Sequence, residues 1–210
     1  MRLNRCLKSV SVGLATASFV FAGAAFGQSA ATAQPVRSWD LVGVNVRLDH
    51  ALDSKSAKQG ETVTARLDEG VKTADGVKLG RGTQLTGTVT KVEPAKGGPS
   101  SLTLVFTTAQ TKDGKQIPVK VTLLSAYPDS ANKASAYGVN DVSEAPRHVS
   151  STEAIDQDSR MLNHIELHAR VQGDASGTFI KKDGDLKLTA GTLLQVGIGP
   201  ANGNATNHGE

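Results

Sequence analysis

From Leu41 onward, apolar and polar residues alternate with period two, the pattern of strands that bury one face and wet the other. Val42, Val44, Val46 and Leu48 alternate with Gly43, Asn45 and Arg47, and Val63, Ala65 and Leu67 with Thr62, Thr64 and Arg66. Four further rows share a face: Leu102, Leu104 and Phe106; Ile117, Val119, Val121 and Leu123; Ile165, Leu167, Ala169 and Val171; Leu194, Val196 and Ile198. Past the leader, no segment carries an apolar stripe at helical spacing. The dipeptides Asp75-Gly76, Asp113-Gly114 and Asp183-Gly184 each separate strand-like runs. They predict hairpin turns, because glycine accepts the positive φ of a tight turn. Gly87 and Gly197 interrupt apolar runs and predict bends, since glycine inside a strand marks a bulge or a corner. Short strands and turns at this density predict an all-β fold, a small antiparallel β-barrel or sandwich with a long disordered insertion.

The breaks in the pattern divide the chain. Residues 126–160 are rich in Ser, Ala, Asp and Asn and predict a flexible insertion. Residues 199–210 predict a disordered tail and 28–38 a linker, which leaves 39–198 as the β-barrel domain. Residues 1–27 read as a signal peptide: Arg2, Arg5 and Lys8, then an uncharged run from Ser9 to Gly27, then small residues. Cleavage is expected after Gly27, with Ala33 as the other candidate. An uncleaved anchor is the competing reading, since about 18 apolar residues can span a bilayer. The run is rich in Ala, Gly, Ser and Thr rather than Leu, which favours removal and no stable transmembrane span in the mature chain.

Charge changes the picture only when the leader is set aside. The chain has 23 Lys and Arg against 20 Asp and Glu, and losing Arg2, Arg5 and Lys8 brings the two into balance. The remaining cations are scattered along the sequence, so nucleic acid is not an expected partner. The one cysteine, Cys6, precedes the apolar run, so the mature domain has no disulfide, thiolate nucleophile or cysteine metal ligand. Hydrophobic residues make up 38% of the chain; with glycine, the apolar share reaches the usual ~45–50%, enough for one core. Aromatics are scarce: one Trp, two Tyr and five Phe, of which Phe19, Phe21 and Phe26 lie in the leader. A stacking platform for sugars or bases therefore lacks material. Trp39 reads as a core plug or lid.

Candidate chemistry is sparse. His164, Glu166 and His168 alternate onto the polar face of one strand, with Arg170 next in the row. His164 and His168 are four residues apart, about 13 Å along a strand, too far to share one metal ion unaided. A solvated strand face is the expectation. Gly173-Asp174-Ala175-Ser176-Gly177 echoes the loop around a nucleophilic serine, with His50 or His148 as the conceivable base, but it lacks the strand-turn-helix setting and predicts a turn. Gly80-Arg81-Gly82-Thr83 lacks the Gly-Lys-Ser/Thr of a phosphate loop and also predicts a turn. Asp183 and Asp185 lack the regularly spaced oxygen ligands of a calcium loop and predict an exposed hairpin tip. No catalytic, cofactor-binding or metal residue and no cofactor is expected.

The segment Val77-Lys78-Leu79-Gly80-Arg81-Gly82-Thr83-Gln84-Leu85-Thr86-Gly87 is followed by a strand from Ser101 to Ala109, then by Lys112-Asp113-Gly114-Lys115-Gln116-Ile117. This order resembles the periplasmic β-barrel domain of TrbI-like scaffold proteins of type IV secretion and conjugation channels. Ala190-Gly191-Thr192 is similar to that family's closing Gly-Thr segment. The resemblance covers residues 41–124 and 161–198 and implies a barrel. The family's inner-membrane helix, Pro-rich stalk and apolar helical insertion have no counterpart in these residues, and residues 126–160 are too polar to enter lipid. A channel role and functional residues are therefore not carried over.

The sequence thus predicts an exported, non-enzymatic β-barrel module for binding or assembly in the cell envelope, periplasmic or extracellular, meeting envelope proteins through edge strands. The alternative is an envelope hydrolase or metal-binding protein using the His164/Glu166/His168 face. A carrier for a small apolar ligand is a third, weaker reading, because small barrels fill their interior with side chains.

Overall fold

The computed structural model describes residues 37–128, 154–159, 162 and 164–205. Among the described residues fifteen strands follow one another: β1 (Arg37–Ser38), β2 (Val42–Leu48), β3 (Leu52–Asp53), β4 (Thr62–Leu67), β5 (Val71–Lys72), β6 (Lys78–Leu79), β7 (Gln84–Glu93), β8 (Ser100–Gln110), β9 (Gln116–Tyr127), β10 (Ala154–Ser159), β11 (Ile165–Arg170), β12 (Gly177–Lys181), β13 (Lys187–Leu188), β14 (Leu193–Pro200) and β15 (Asn204–Ala205). The main sheet has nine strands in the order β10-β11-β12-β8-β7-β4-β2-β14-β9, and β9 pairs back onto β8. That last pairing, Thr108–Gln110 against Gln116–Pro118, closes β8, β7, β4, β2, β14 and β9 into a six-stranded antiparallel barrel. Closure removes the exposed edges that an open sheet would leave.

The alternating rows supply the barrel interior. Val44, Val46 and Leu48 meet Val63, Ala65, Leu67, Leu85, Val89, Leu102, Leu104, Phe106, Val119, Val121, Leu123, Leu194, Val196 and Ile198 in one buried cluster. Three bulges shift the inward phase by one residue. In β8 the buried row passes from Phe106 to Ala109 because Thr107 has no partner opposite Thr86 and Gly87. In β9 it passes from Leu123 to Ala126 because Leu124 is skipped opposite Gln195 and Val196. In β7 the skipped residue is Thr90, and the row moves from Val89 to Val92. Bulges bend and twist a strand, which a narrow barrel needs. At Gly87 the backbones come so close that a Cβ would lie 2.2 Å from the Val105 carbonyl oxygen and 2.8 Å from Phe106 Cα. Only glycine fits there.

β8 divides its second edge between two partners. β12 pairs with Ser100–Leu104 and β9 with Thr108–Gln110. Where they part, Ser176 holds the fork together. Its N–H donates to the Leu104 carbonyl at 2.8 Å, its Oγ accepts from Phe106 N–H at 2.9 Å, and its carbonyl accepts from Leu123 N–H at 2.8 Å. From this fork β12, β11 and β10 extend the sheet beyond the barrel. Phe179, Leu167 and Ile165 join the barrel cluster, and full burial of Phe179 stabilises the attachment by about 1.5–3 kcal/mol.

Several expectations are corrected. Two parts of the range 126–160, expected as a flexible insertion, are strand: β9 runs through Tyr127, and Ala154–Ser159 forms β10 because it finds a ladder on β11. The tail at 199–210 is strand up to Pro200 and again at Asn204–Ala205, where β15 pairs with β1 at the end of the linker. Asp183-Gly184 is a turn with positive φ at Gly184, but it joins β12 to β13, which do not pair with each other. Asp75-Gly76 and Asp113-Gly114 do close hairpins, β5–β6 and β8–β9. The leader, and the central part of the insertion at 129–153, lie outside the described residues. Among the described residues no helix is long and apolar enough to cross a membrane.

Candidate functional site

The most distinctive surface lies on the β10–β12 extension. Alternation on β11 buries Ile165, Leu167 and Ala169 and turns Glu166, His168 and Arg170 outward. Glu166 Oε1 accepts a short ion pair from Lys182 Nζ at 2.7 Å, and its Oε2 lies 3.5 Å from His168 Nε2. The Lys182 hydrogen bond, above all, holds the Glu166 carboxyl below its ordinary range. His164 is exposed, stands before the strand with φ near 60°, and does not join Glu166 and His168 in a group able to hold a metal ion. The structure therefore pairs Glu166 with a lysine and leaves the three-residue row divided. A carboxylate engaged by an ammonium at 2.7 Å is a poor general base, because the partner stabilises its charged form.

His168, Arg170, Gly173, Asp174 and Thr178 line an open cleft of about 320 Å³ at the β11–β12 turn. Gly173-Asp174-Ala175-Ser176-Gly177 forms the floor of that turn. Ser176 is 1% exposed and its Oγ accepts from a backbone N–H, so it is a structural pin and not an accessible nucleophile. His50 is exposed in the turn after β2, and His148 lies outside the described residues. Gly80-Arg81-Gly82-Thr83 is a turn closed by Thr83 N–H on the Gly80 carbonyl. Asp185 is not an exposed tip ligand: its Oδ1 accepts from Ala95 N–H at 3.0 Å and ties the β12–β13 turn to the β7–β8 loop.

Behind the cleft, Lys120 of β9 donates to the Gly173 carbonyl, and its ammonium lies 5.3 Å from the centre of the Trp39 ring. Burial lowers the Lys120 pKa, opposed by the charge of Asp174. Trp39 packs with Leu41, Val171 and Leu124 in a small cluster of its own. It thus plugs a satellite of the core, not the barrel interior. Leu124 reaches this cluster as the skipped residue of the β9 bulge. Sequence reasoning missed Lys120 because strand alternation marks it only as an outward polar position. Its partners, Gly173 and Trp39, come from segments far along the chain, which no local pattern marks.

The sheet itself supplies the last element. β10 is the terminal strand of the nine-stranded sheet and pairs with β11 from Ala154↔Arg170 to Ser159↔Ile165. Its other edge has no strand partner among the described residues. Alternate N–H and C=O groups of an edge strand point away from the sheet and can accept a further strand.

No family model matches the chain, and no curated protein matches it. Among solved structures, ComB10 of the Com type IV secretion system of Helicobacter pylori is similar over 80% of this chain and 89% of that one, at 12% identity and a TM-score of 0.33. The barrel assignment rests on this chain's own strand pairing, which closes the ring between β8 and β9.

Proposed function

We propose that the chain is an exported, non-enzymatic binding or assembly module of the cell envelope, which recruits a partner by strand addition at β10. The observation that carries this reading is the continuation of the sheet past a barrel already closed. Closure of β8 onto β9 would have completed the fold, yet three more strands follow and end in an edge. Strand addition gives affinity through backbone hydrogen bonds and needs no catalytic constellation. The leader-like pattern of residues 1–27 and the order of motifs from Val77 to Ile117 support an envelope setting.

Proline scanning of β10 tests this. Neighbouring N–H groups of a strand point to opposite edges, so of Asp156→Pro and Gln157→Pro one breaks the ladder to β11 and the other removes only an outward donor. The outward-facing variant is identified by its unchanged thermal stability, and both are crosslinked in the native envelope. The expected result is a recurrent partner captured by the unaltered chain and lost from the outward variant. Capture that survives the outward proline unchanged would overturn the reading.

A further inference from the structure

One end of the barrel carries a group of cations that the fold does not neutralise. The β5–β6 hairpin sets Lys72 directly opposite Lys78, both exposed. Like charges across a strand pair repel and destabilise the hairpin, so local stability alone does not account for the pair. The turn leading from β6 into β7 adds Arg81, and the β8–β9 hairpin adds Lys112 and Lys115, again all exposed. These loops are neighbours in space: Gln84 at the start of β7 pairs with Gln110 at the end of β8, and a Cβ placed on Gly82 would lie 3.0 Å from Lys112 Cε.

On the strand faces and the extension, Arg47, Arg66, Lys91 and Lys182 each reach a carboxylate, those of Asp68, Asp49, Glu93 and Glu166, whereas Lys55, Lys58 and Lys96 in other loops and Lys187 in β13 are exposed without one among the described residues. Among the described residues, none of the five rim cations has a carboxylate within ion-pair distance. The acidic side chains of the same loops are Asp68, Glu69, Asp75 and Asp113; Asp68 is paired with Arg47 and Asp75 accepts a hydrogen bond from Thr73 Oγ1.

We infer that this rim docks the barrel end-on to an anionic phospholipid surface. Four of the five cations are lysines, compact hydrated point charges without the flat fork that reads one carboxylate. They stand at the tips of three turns rather than around a pocket, an arrangement suited to mobile phosphates on a broad surface. Each lysine near such a surface raises partitioning roughly fivefold, and salt screens the effect.

The test is co-sedimentation of the full chain with vesicles of phosphatidylcholine alone and of phosphatidylcholine mixed with phosphatidylglycerol, at low and at physiological salt. The leader's Arg2, Arg5 and Lys8 are the same in every variant, so the rim's own contribution is the difference between the unaltered chain and the rim replacements on the same anionic vesicles. The expected result is stronger binding to anionic vesicles, weakened by salt and reduced about a hundredfold by the combined Lys72→Gln, Lys78→Gln and Lys112→Gln replacements. Lys78→Glu separates docking from folding: it turns the repulsive cross-strand pair into an attractive one, so the melting temperature rises while anionic-vesicle binding falls. Equal binding to both vesicle types, or binding indifferent to the triple replacement, would overturn the inference. So would binding to a polyglutamate peptide as strong as binding to the anionic vesicles, which would assign the rim to an acidic protein.

Discussion

The barrel ring and the β10–β12 extension are made of similar alternating strands, but they meet solvent differently. In the ring, β14 is buried at seven successive positions, Leu193 to Gly199, because the core covers one face and the segment around Leu41 lies against the other at Gly199. In the extension, β11 alternates buried and wet positions along its length and ends one strand short of an edge. A strand covered on both faces opens only with the whole domain, whereas a strand with one wet face near an edge can open locally. The contrast separates the part of the molecule that holds the shape from the part able to exchange partners. A closed ring offers no free edge, whereas the extension of the main sheet ends in one at β10.

The strongest way to break the contrast is to attack closure itself. Gly87→Ala places a methyl group 2.2 Å from the Val105 carbonyl oxygen, with backbone as the obstacle. The bulge must open, and the expected loss is at least about 3 kcal/mol in denaturant unfolding. Gly98→Ala, where nothing lies within 4 Å, is the matched control and is expected to stay within about 0.5 kcal/mol of the parent. Similar stability for the two variants would mean that β7 and β8 do not approach at Gly87.

Much of this architecture was legible in the residues and some was not, for physical reasons. Period two alone placed Val44, Val46 and Leu48, or Leu194, Val196 and Ile198, on an inward face, and the structure buries all six. Gly87 marked a bend, and it is where β7 and β8 touch. Bulges, however, change the phase by one residue and leave a strand that still alternates, so the shifts at Thr107 and Leu124 were invisible to a face-by-face reading. Asp183-Gly184 carries the same local chemistry as the true hairpins; which strands it joins depends on β12 finding β8, a contact far along the chain. Gln195, between the inward Leu194 and Val196, falls on the outward parity, yet it is 7% exposed and hydrogen-bonded at 2.6 Å to Ser125, which is 7% exposed as well. The site was hardest to read, because a sheet edge is made of backbone, and backbone has no composition.

A finer test acts on the fork where the two regions join. Ser176→Ala keeps the backbone bonds to Leu104 and Leu123 but leaves the Phe106 N–H without its Oγ acceptor in a buried setting. The expected cost is about 1–3 kcal/mol. Amide hydrogen exchange tells where it falls. Faster exchange confined to β11, β12 and the Phe106 region, with β2, β4 and β14 still protected, would show that the extension opens separately from the ring. Uniform acceleration would show one cooperative unit and remove the proposed division of labour.

The smallest expected effect is electrostatic, and it also distinguishes the two regions. Glu166 on the extension is held below its ordinary value of 4.5 first by the Lys182 hydrogen bond, and Glu93 on the ring below the same value first by the Lys91 hydrogen bond. A depressed carboxyl contributes stability above its unfolded pKa and loses it as pH falls through the lower folded value. Acidification from about pH 6 to about pH 3 should therefore weaken both pairs. The side chains keep 54% exposure at Glu93 and 21% at Glu166, so the change is a shallow slope rather than a transition. Lys182→Met should flatten that slope for exchange at β11 and β12 alone, and Lys91→Met for exchange at β7 and β8 alone. If either replacement alters the pH dependence in both regions together, the ring and the extension are energetically one body, and the edge at β10 is as rigid as the barrel that carries it.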